Sequence, residues 1–352
     1  MRTVAKLLPL VSPLAIYHTQ TRMLEIAQFG AGRIGQIHAS NIAALKDARL
    51  RYVVDVNAEA AHKLAARHGA KAASEREALA DREIGAVLIA SSTDTHARLA
   101  IAAARAGKAI FCEKPIDLSL AKVDSCLREV EKAGVPMFVG FNRRFDPSFA
   151  ALKRRLQAGE IGALEQVVIT SRDPAPPPLA YVKVSGGMFR DMTIHDFDMA
   201  RWLLGEEPVE VFAWGGSLVD RKIAAAGDID SAMLVLRTAC DRMCHINNSR
   251  RAAYGYDQRI EVFGAKGMLR AENRGETTVE HFSARGTVSD RPLDFFLERY
   301  AEAYRAEMSA FVSALHERTA MPVAARDGRQ ALVLAEAALQ SLRKKQPVKL
   351  RP

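Results

Sequence analysis

The chain lacks any run of about 18 uncharged apolar residues, which excludes a polytopic membrane protein. It is poor in cysteine. Cys112, Cys126, Cys240 and Cys244 are the only four, and none forms a C-x-x-C pair, so neither a disulfide framework nor a cysteine-rich zinc site is indicated. Cys240 and Cys244 flank a turn at Asp241-Arg242-Met243 and read as plain thiols of a reducing compartment. There is no internal repeat, and the one low-complexity piece is the stiff loop Asp173-Pro174-Ala175-Pro176-Pro177-Pro178. The body of the chain also lacks a charge imbalance. Net charge is +9, of which +3 lies in residues 1–22 and +5 in residues 343–352. Basic solvated ends do not make a nucleic-acid-binding face, and no helix-turn-helix is apparent. What remains is 352 residues, 49% apolar and 26% charged, enough for about two soluble domains with full cores.

Residues 1–22 carry two early positive charges and an apolar stretch, Leu7–Ile16, broken by Pro9 and Pro13. This is weakly signal-like, but no small-x-small cleavage site follows. We read the segment as a disordered extension, with a secretory signal as the alternative. From Leu24, buried-type strands (LEIAQFG, LRYVVDV, GAVLIAS, KAIFCEK, VPMFVGF) alternate with helical segments of 10–15 residues. That pattern predicts an α/β doubly wound parallel sheet over residues 23–141. Beyond Phe141 the pattern changes. RRFDPSFAALKRRLQAG reads as one helix and DMTIHDFDMARWLLG (191–205) as another. Around them run alternating strands such as LEQVVITSR, VEVFAWGGSLV, DSAMLVLRT and QRIEVFGAKGMLRAEN, implying a large open, mostly antiparallel sheet in a second α/β domain, 142–352. Two helices, about 293–317 and 326–344, close the chain and are expected to pack back on the first domain.

Gly30-x-Gly32-x-x-Gly35 lies between the first strand and the first helix, and Asp55 ends the second strand 20 residues after Gly35. Strand, glycine loop, helix and distant acid together meet the requirements of a dinucleotide fingerprint. Gly30 permits the tight turn, Gly32 the close approach of a pyrophosphate, and Gly35 close helix–strand packing, while the helix N-terminus stabilises the diphosphate. Asp55 suits the adenosine ribose hydroxyls and repels a 2′-phosphate, so NAD is expected over NADP. Arg33 and Ile34 lie within the loop; Arg33 either touches the pyrophosphate or faces solvent. Thr93 follows the fourth strand, at the sheet edge where ligands sit, and is a further candidate for cofactor contact. His96 nearby reads as structural.

Glu113-Lys114-Pro115 follows the fifth strand at the same edge. Lys114 is either a solvated surface lysine or a cation beside the nicotinamide that stabilises a developing alkoxide. Asp191 and His195 lie four apart and, on one helix, share a face. Histidine titrates near neutrality and suits removal of a hydroxyl proton; the alternative is a core histidine capped by an acid. No second histidine stands at a metal-ligand offset, so no metal is expected.

Taken in order, GAGRIG (30–35), Glu113-Lys114-Pro115, Asn142-Arg143-Arg144-Phe145-Asp146 and GGMFRDMTIHDFD (186–198) make the chain similar, over about 23–350, to the Gfo/Idh/MocA oxidoreductases. Ser171-Arg172-Asp173 with its proline run, DMTIHDFDMARW and Tyr254-Gly255-Tyr256-Asp257 most resemble the family's inositol-oxidising branch. The resemblance implies a Rossmann domain, NAD as cofactor (with Glu113 and Lys114 beside it), and Lys114, Asp191 and His195 as the catalytic group. It implies Arg144 and Tyr254 near a polyol substrate, a cis Lys114–Pro115 bond, and a cytoplasmic homotetramer joined through the open sheet. Another sugar or polyol dehydrogenase, or a non-catalytic NAD-dependent sugar sensor, stands as the alternative.

Overall fold

The apolar run that opens the first domain, β1 (Leu24–Phe29), is buried along nearly its whole length, as a central strand covered on both faces must be. The computed structural model describes residues 23–350, so the extension expected at 1–22 lies outside the described residues. After β1 come α1 (Arg33–Ala43), β2 (Ala48–Val54), α2 (Ala58–Arg67), β3 (Lys71–Ala72), α3 (Glu75–Ala80), β4 (Ile84–Ile89), α4 (Thr93–Arg105), β5 (Ala109–Glu113), α5 (Leu120–Ala133) and β6 (Met137–Gly140). All pairings are parallel and the strand order is 3-2-1-4-5-6. The order reverses between β1 and β4, which opens a crevice at their carboxyl ends. The glycine loop, Thr93 and Lys114 all lie at that edge.

A 3-10 turn, Asn142–Phe145, leads into α6 (Pro147–Gln157). The single helix expected over this stretch is interrupted at Asp146, whose carboxylate accepts from the N–H groups of Ser148 and Phe149. Pro147, with no N–H to give, begins the new helix. Next come β7 (Leu164–Arg172), α7 (Leu179–Val182), α8 (Met188–Asp191), α9 (Thr193–Leu204), β8 (Pro208–Gly216), α10 (Arg221–Ala225), β9 (Ser231–Thr238), β10 (Met243–Ser249), β11 (Asp257–Gly264) and β12 (Gly267–Ala271). An exposed hairpin, β13 (Glu280–Ser283) and β14 (Gly286–Ser289), precedes α11 (Phe296–Arg299), α12 (Ala301–Glu317), α13 (Ala325–Lys344) and β15 (Val348–Lys349). The helix expected at about 293–317 therefore starts later and in two pieces, whereas the one expected at 326–344 is found at nearly those bounds as α13. The long strand read through QRIEVFGAKGMLRAEN is a hairpin of β11 and β12.

The second sheet has seven strands in the order β12-β11-β7-β10-β9-β8-β15. β7 and β10 pair in parallel and the other pairs are antiparallel, so the sheet is mixed but mostly antiparallel. Helices α9 and α13 pack on one face. Trp214, Met233, Val235, Met243, Phe263 and Met268 are exposed. The register sets Trp214 opposite Met233 and Phe263 opposite Met268, on the other face. α12 packs on α1, and α13 on α5 and β6. All four cysteines are free thiols, three of them buried. Among the described residues no helix is long and apolar enough to cross a membrane.

Candidate active site

The glycines of the first loop do three different jobs. Gly30 has φ +108, and a Cβ there would lie 2.3 Å from the Ala90 carbonyl oxygen. A Cβ on Gly35 would lie 2.2 Å from the Gly30 oxygen, so α1 can approach β1 only because that atom is missing. Gly32 faces open space, with nothing within 4 Å of a Cβ, and stands at the N-terminus of α1 with no side-chain cap. An uncapped helix start beneath a bare backbone is what a diphosphate needs. Asp55 accepts from Ala31 N–H (2.7 Å) and Asn57 N–H (2.8 Å), which fixes its carboxylate beside the loop. The buried Gln28, not singled out from sequence, donates to the carbonyls of Gly30 and Gly35, both at 2.8 Å. These residues fit a bound dinucleotide. Ile34 is half-buried and Arg33 exposed, its guanidinium 5.9 Å from the Phe295 ring centroid. Thr93 opens α4. His96 is buried, with its ring nitrogens facing the carbonyl oxygens of Pro115 (2.9 Å) and Ser91 (3.0 Å), a structural tie between two loops of the crevice.

The Lys114–Pro115 peptide is cis. Lys114 Nζ donates to the backbone carbonyl of Asp191 at 2.8 Å and lies 3.7 Å from its Oδ1. That bond explains why the expected continuous helix over 191–205 is split at Met192. In a regular helix the Asp191 carbonyl would accept from His195 N–H; here His195 N–H bonds Met192 O instead (3.3 Å). A side chain has entered the helical ladder, and the helix breaks there. Asp191 and His195 thus sit on α8 and α9, brought together around the ammonium rather than along one regular face.

His195 is partly accessible, but its Nδ1 is buried without a partner. Burial pushes its pKa well below the ordinary 6.5, and the nearby cations Lys114 and Arg143 push it the same way. The imidazole is therefore neutral at physiological pH and able to take a proton. Asp191 does not orient it. Its Oδ1 accepts from Tyr181 Oη at 2.8 Å and its Oδ2 from Arg250 Nη2 at 3.2 Å. Arg250, only 2% exposed, also lies 3.9 Å from Asp173. Burial raises the Asp173 carboxyl to about 6 although Arg250 opposes the shift.

Glu113 turns its carboxylate inward, onto buried His38 Nε2 at 2.6 Å and away from the crevice. With Glu307 these form the one compact group of potential metal-ligand side chains among the described residues. Arg144 is committed elsewhere: it forks onto Asp198 (2.8 and 2.5 Å) and reaches Asp327 of α13 at 3.1 Å. Its neighbour Arg143 points to the core polar network, donating to Asp196 (2.6 Å) and Ser171 (2.9 Å). Tyr254 donates to Asp257 (2.5 Å) and accepts from Arg172 (2.9 Å), at the rim and exposed. The structure brings Lys114, Asp191 and His195 together; it gives Arg144 and Tyr254 other partners. Tyr181 and Arg250 carry no local signature by which sequence alone could have found them.

Residues 24–141 match the family model described as an oxidoreductase family with an NAD-binding Rossmann fold, and residues 149–270 match the GFO/IDH/MocA C-terminal domain. The chain is 49% identical over 329 residues to the myo-inositol 2-dehydrogenase of Thermotoga maritima, covering 93% of this chain and 98% of that one. It is 48% identical over 321 residues to an inositol 2-dehydrogenase of Rhizobium meliloti, covering 91% and 97%. A crystal structure of a myo-inositol dehydrogenase from Corynebacterium glutamicum superposes with a TM-score of 0.91 at 45% identity, over 94% of this chain and 99% of the other. A scyllo-inositol dehydrogenase from Lactobacillus casei, with bound NAD(H) and scyllo-inositol, does so at 0.86 and 30% identity, over 93% and 99%. The glycine loop with its carboxylate, the ammonium at the end of β5 and the neutral histidine near it are thus set in a chain that belongs to the Gfo/Idh/MocA family of NAD-binding oxidoreductases.

Proposed function

We propose that this chain oxidises one secondary hydroxyl of a cyclic polyol, with myo-inositol as substrate and 2-keto-myo-inositol as product, as a step of inositol breakdown in the cytoplasm. The observation that carries the reading is the pairing of the Lys114 ammonium with a neutral, partly accessible His195 at the edge where the dinucleotide loop opens. The names of the similar dehydrogenases supply the substrate.

Bound NAD supplies the hydride acceptor. His195 takes the hydroxyl proton while the hydrogen on the same carbon leaves with its electron pair. Lys114 hydrogen-bonds the reacting oxygen and offsets its developing negative charge. Asp191, held by Arg250, accepts from a neighbouring substrate hydroxyl rather than from His195. No metal takes part, because the ammonium supplies the electrostatic stabilisation. The assembly is a homotetramer, joined through the face of the second sheet that carries Trp214, Met233, Val235 and Phe263; an exposed apolar patch of this kind marks an interface.

The test is NADH formation by the purified protein with myo-inositol, scyllo-inositol, chiro-inositol and glucose, each with NAD and with NADP. Turnover of myo-inositol with NAD supports the reading. Turnover of another compound alone replaces the substrate and keeps the chemistry, and NAD binding without any turnover favours a sensor.

A further inference from the structure

Asp191 stands four positions before His195, but its carboxylate has other partners in this molecule. Arg250, buried just beyond the end of β10, grips Oδ2. Its backbone N–H is anchored on Asp230 O at 2.8 Å, and its guanidinium is almost wholly enclosed. That grip is rigid. The grip on Oδ1 is of another kind. Tyr181 belongs to α7, a single turn that follows the proline-rich loop, and it is 47% exposed. Oδ1 is also the carboxylate oxygen that faces the Lys114 ammonium, 3.7 Å away. A polyol oxygen that reaches Lys114 brings the hydroxyl of the next ring carbon toward Oδ1, which Tyr181 occupies.

We propose that Tyr181 is a stand-in for that substrate hydroxyl. In the free enzyme its phenol donates to Oδ1 and keeps the carboxylate satisfied and oriented. On binding, a hydroxyl adjacent to the reacting carbon takes over Oδ1, and Tyr181 is displaced. Arg250 holds Oδ2 throughout and is a positioning residue. The site is thereby matched to vicinal polyols, because only a second hydroxyl repays the bond that Tyr181 gives up. A substrate without that hydroxyl leaves Tyr181 in place and gains nothing from Asp191. This inference rests on the proposed polyol oxidation.

The decisive variant is Tyr181→Phe, which keeps the ring and removes the competing donor. Because the side chain is exposed, the melting temperature should not change. The KM for the polyol should fall about two- to tenfold, the scale of one net hydrogen bond, with kcat within about twofold and the KM for NAD unchanged. With a deoxy analogue lacking the hydroxyl next to the reacting carbon, Tyr181→Phe and wild type should have the same KM. A structural role alone would not split KM from kcat in this way. An unchanged or raised KM for the full polyol, with wild type active, overturns this inference and leaves the functional reading standing. A wild-type enzyme that neither binds nor oxidises any polyol overturns the functional reading and this inference with it.

Discussion

The two halves of the site are built by different means. The cofactor half is made of backbone: Gly30, Gly32 and Gly35 act through the side chain they do not have, within a few residues of one another. The chemical half is made of side chains that meet from remote parts of the chain. Lys114 reaches Asp191, 77 positions on, and Arg250 reaches back 59 positions to the same residue. Backbone demands leave a local mark in sequence, whereas long-range ion pairs do not. Robustness should differ as well. A backbone cradle fails by collision, while a side-chain cluster fails by losing charge or aim.

The sharpest way to break the comparison is inside the glycine loop. Gly35→Ala places a Cβ 2.2 Å from a backbone oxygen. It should lower the melting temperature by several degrees, at an overpacking cost of about 1–3 kcal/mol, and abolish NAD binding. Gly32→Ala meets nothing within 4 Å, so it should melt like wild type and still bind NAD about tenfold or more weakly, because the Cβ intrudes only when the pyrophosphate arrives. Equal melting losses in the two variants would mean that Gly32 is structural too. Calorimetry with and without NAD separates the cases.

A smaller effect is expected at Asp55. Asp55→Asn keeps the size and one acceptor oxygen, so one of the two bonds to backbone N–H groups survives, but the charge does not. The preference for NAD over NADP should narrow by about tenfold in kcat/KM, since repulsion of a 2′-phosphate is lost. An unchanged preference would place the discrimination elsewhere.

The mildest effect is the pH dependence. His195 is a base only when neutral, and its proton affinity is depressed below 6.5. kcat/KM should therefore be flat through neutrality and fall on acidification, with no limb above about 6, where Asp173 titrates. The stability contribution has the same sign. The unfolded chain takes up a proton on this histidine before the folded one does, so stability is full above 6.5 and declines as pH falls toward the folded value. An acid limb with its midpoint above neutrality would show that burial and the neighbouring cations do not depress His195.

Much of this was legible beforehand. Strand–helix alternation sufficed for the first domain because buried parallel strands and amphipathic helices write distinct periods, and Lys114 was marked by its place at a strand end. The break at Met192 was not legible, since it depends on a lysine from another domain entering a helical ladder. Nor was the commitment of Arg144 to Asp198 and Asp327, because adjacent arginines look alike until the helix that takes one of them is in place. The inward turn of Glu113 depends likewise on His38, 75 positions away.

The claim that organises the site is that the Lys114 ammonium stabilises the reacting oxygen beside a His195 held neutral chiefly by burial. Steady-state turnover of Lys114→Met with myo-inositol, measured beside its affinity for NADH, tests it most directly. The account predicts a loss in kcat of about 10²-fold or more, the scale of removing one such donor, with NADH affinity within about twofold of wild type. Near-normal turnover in that variant would contradict it.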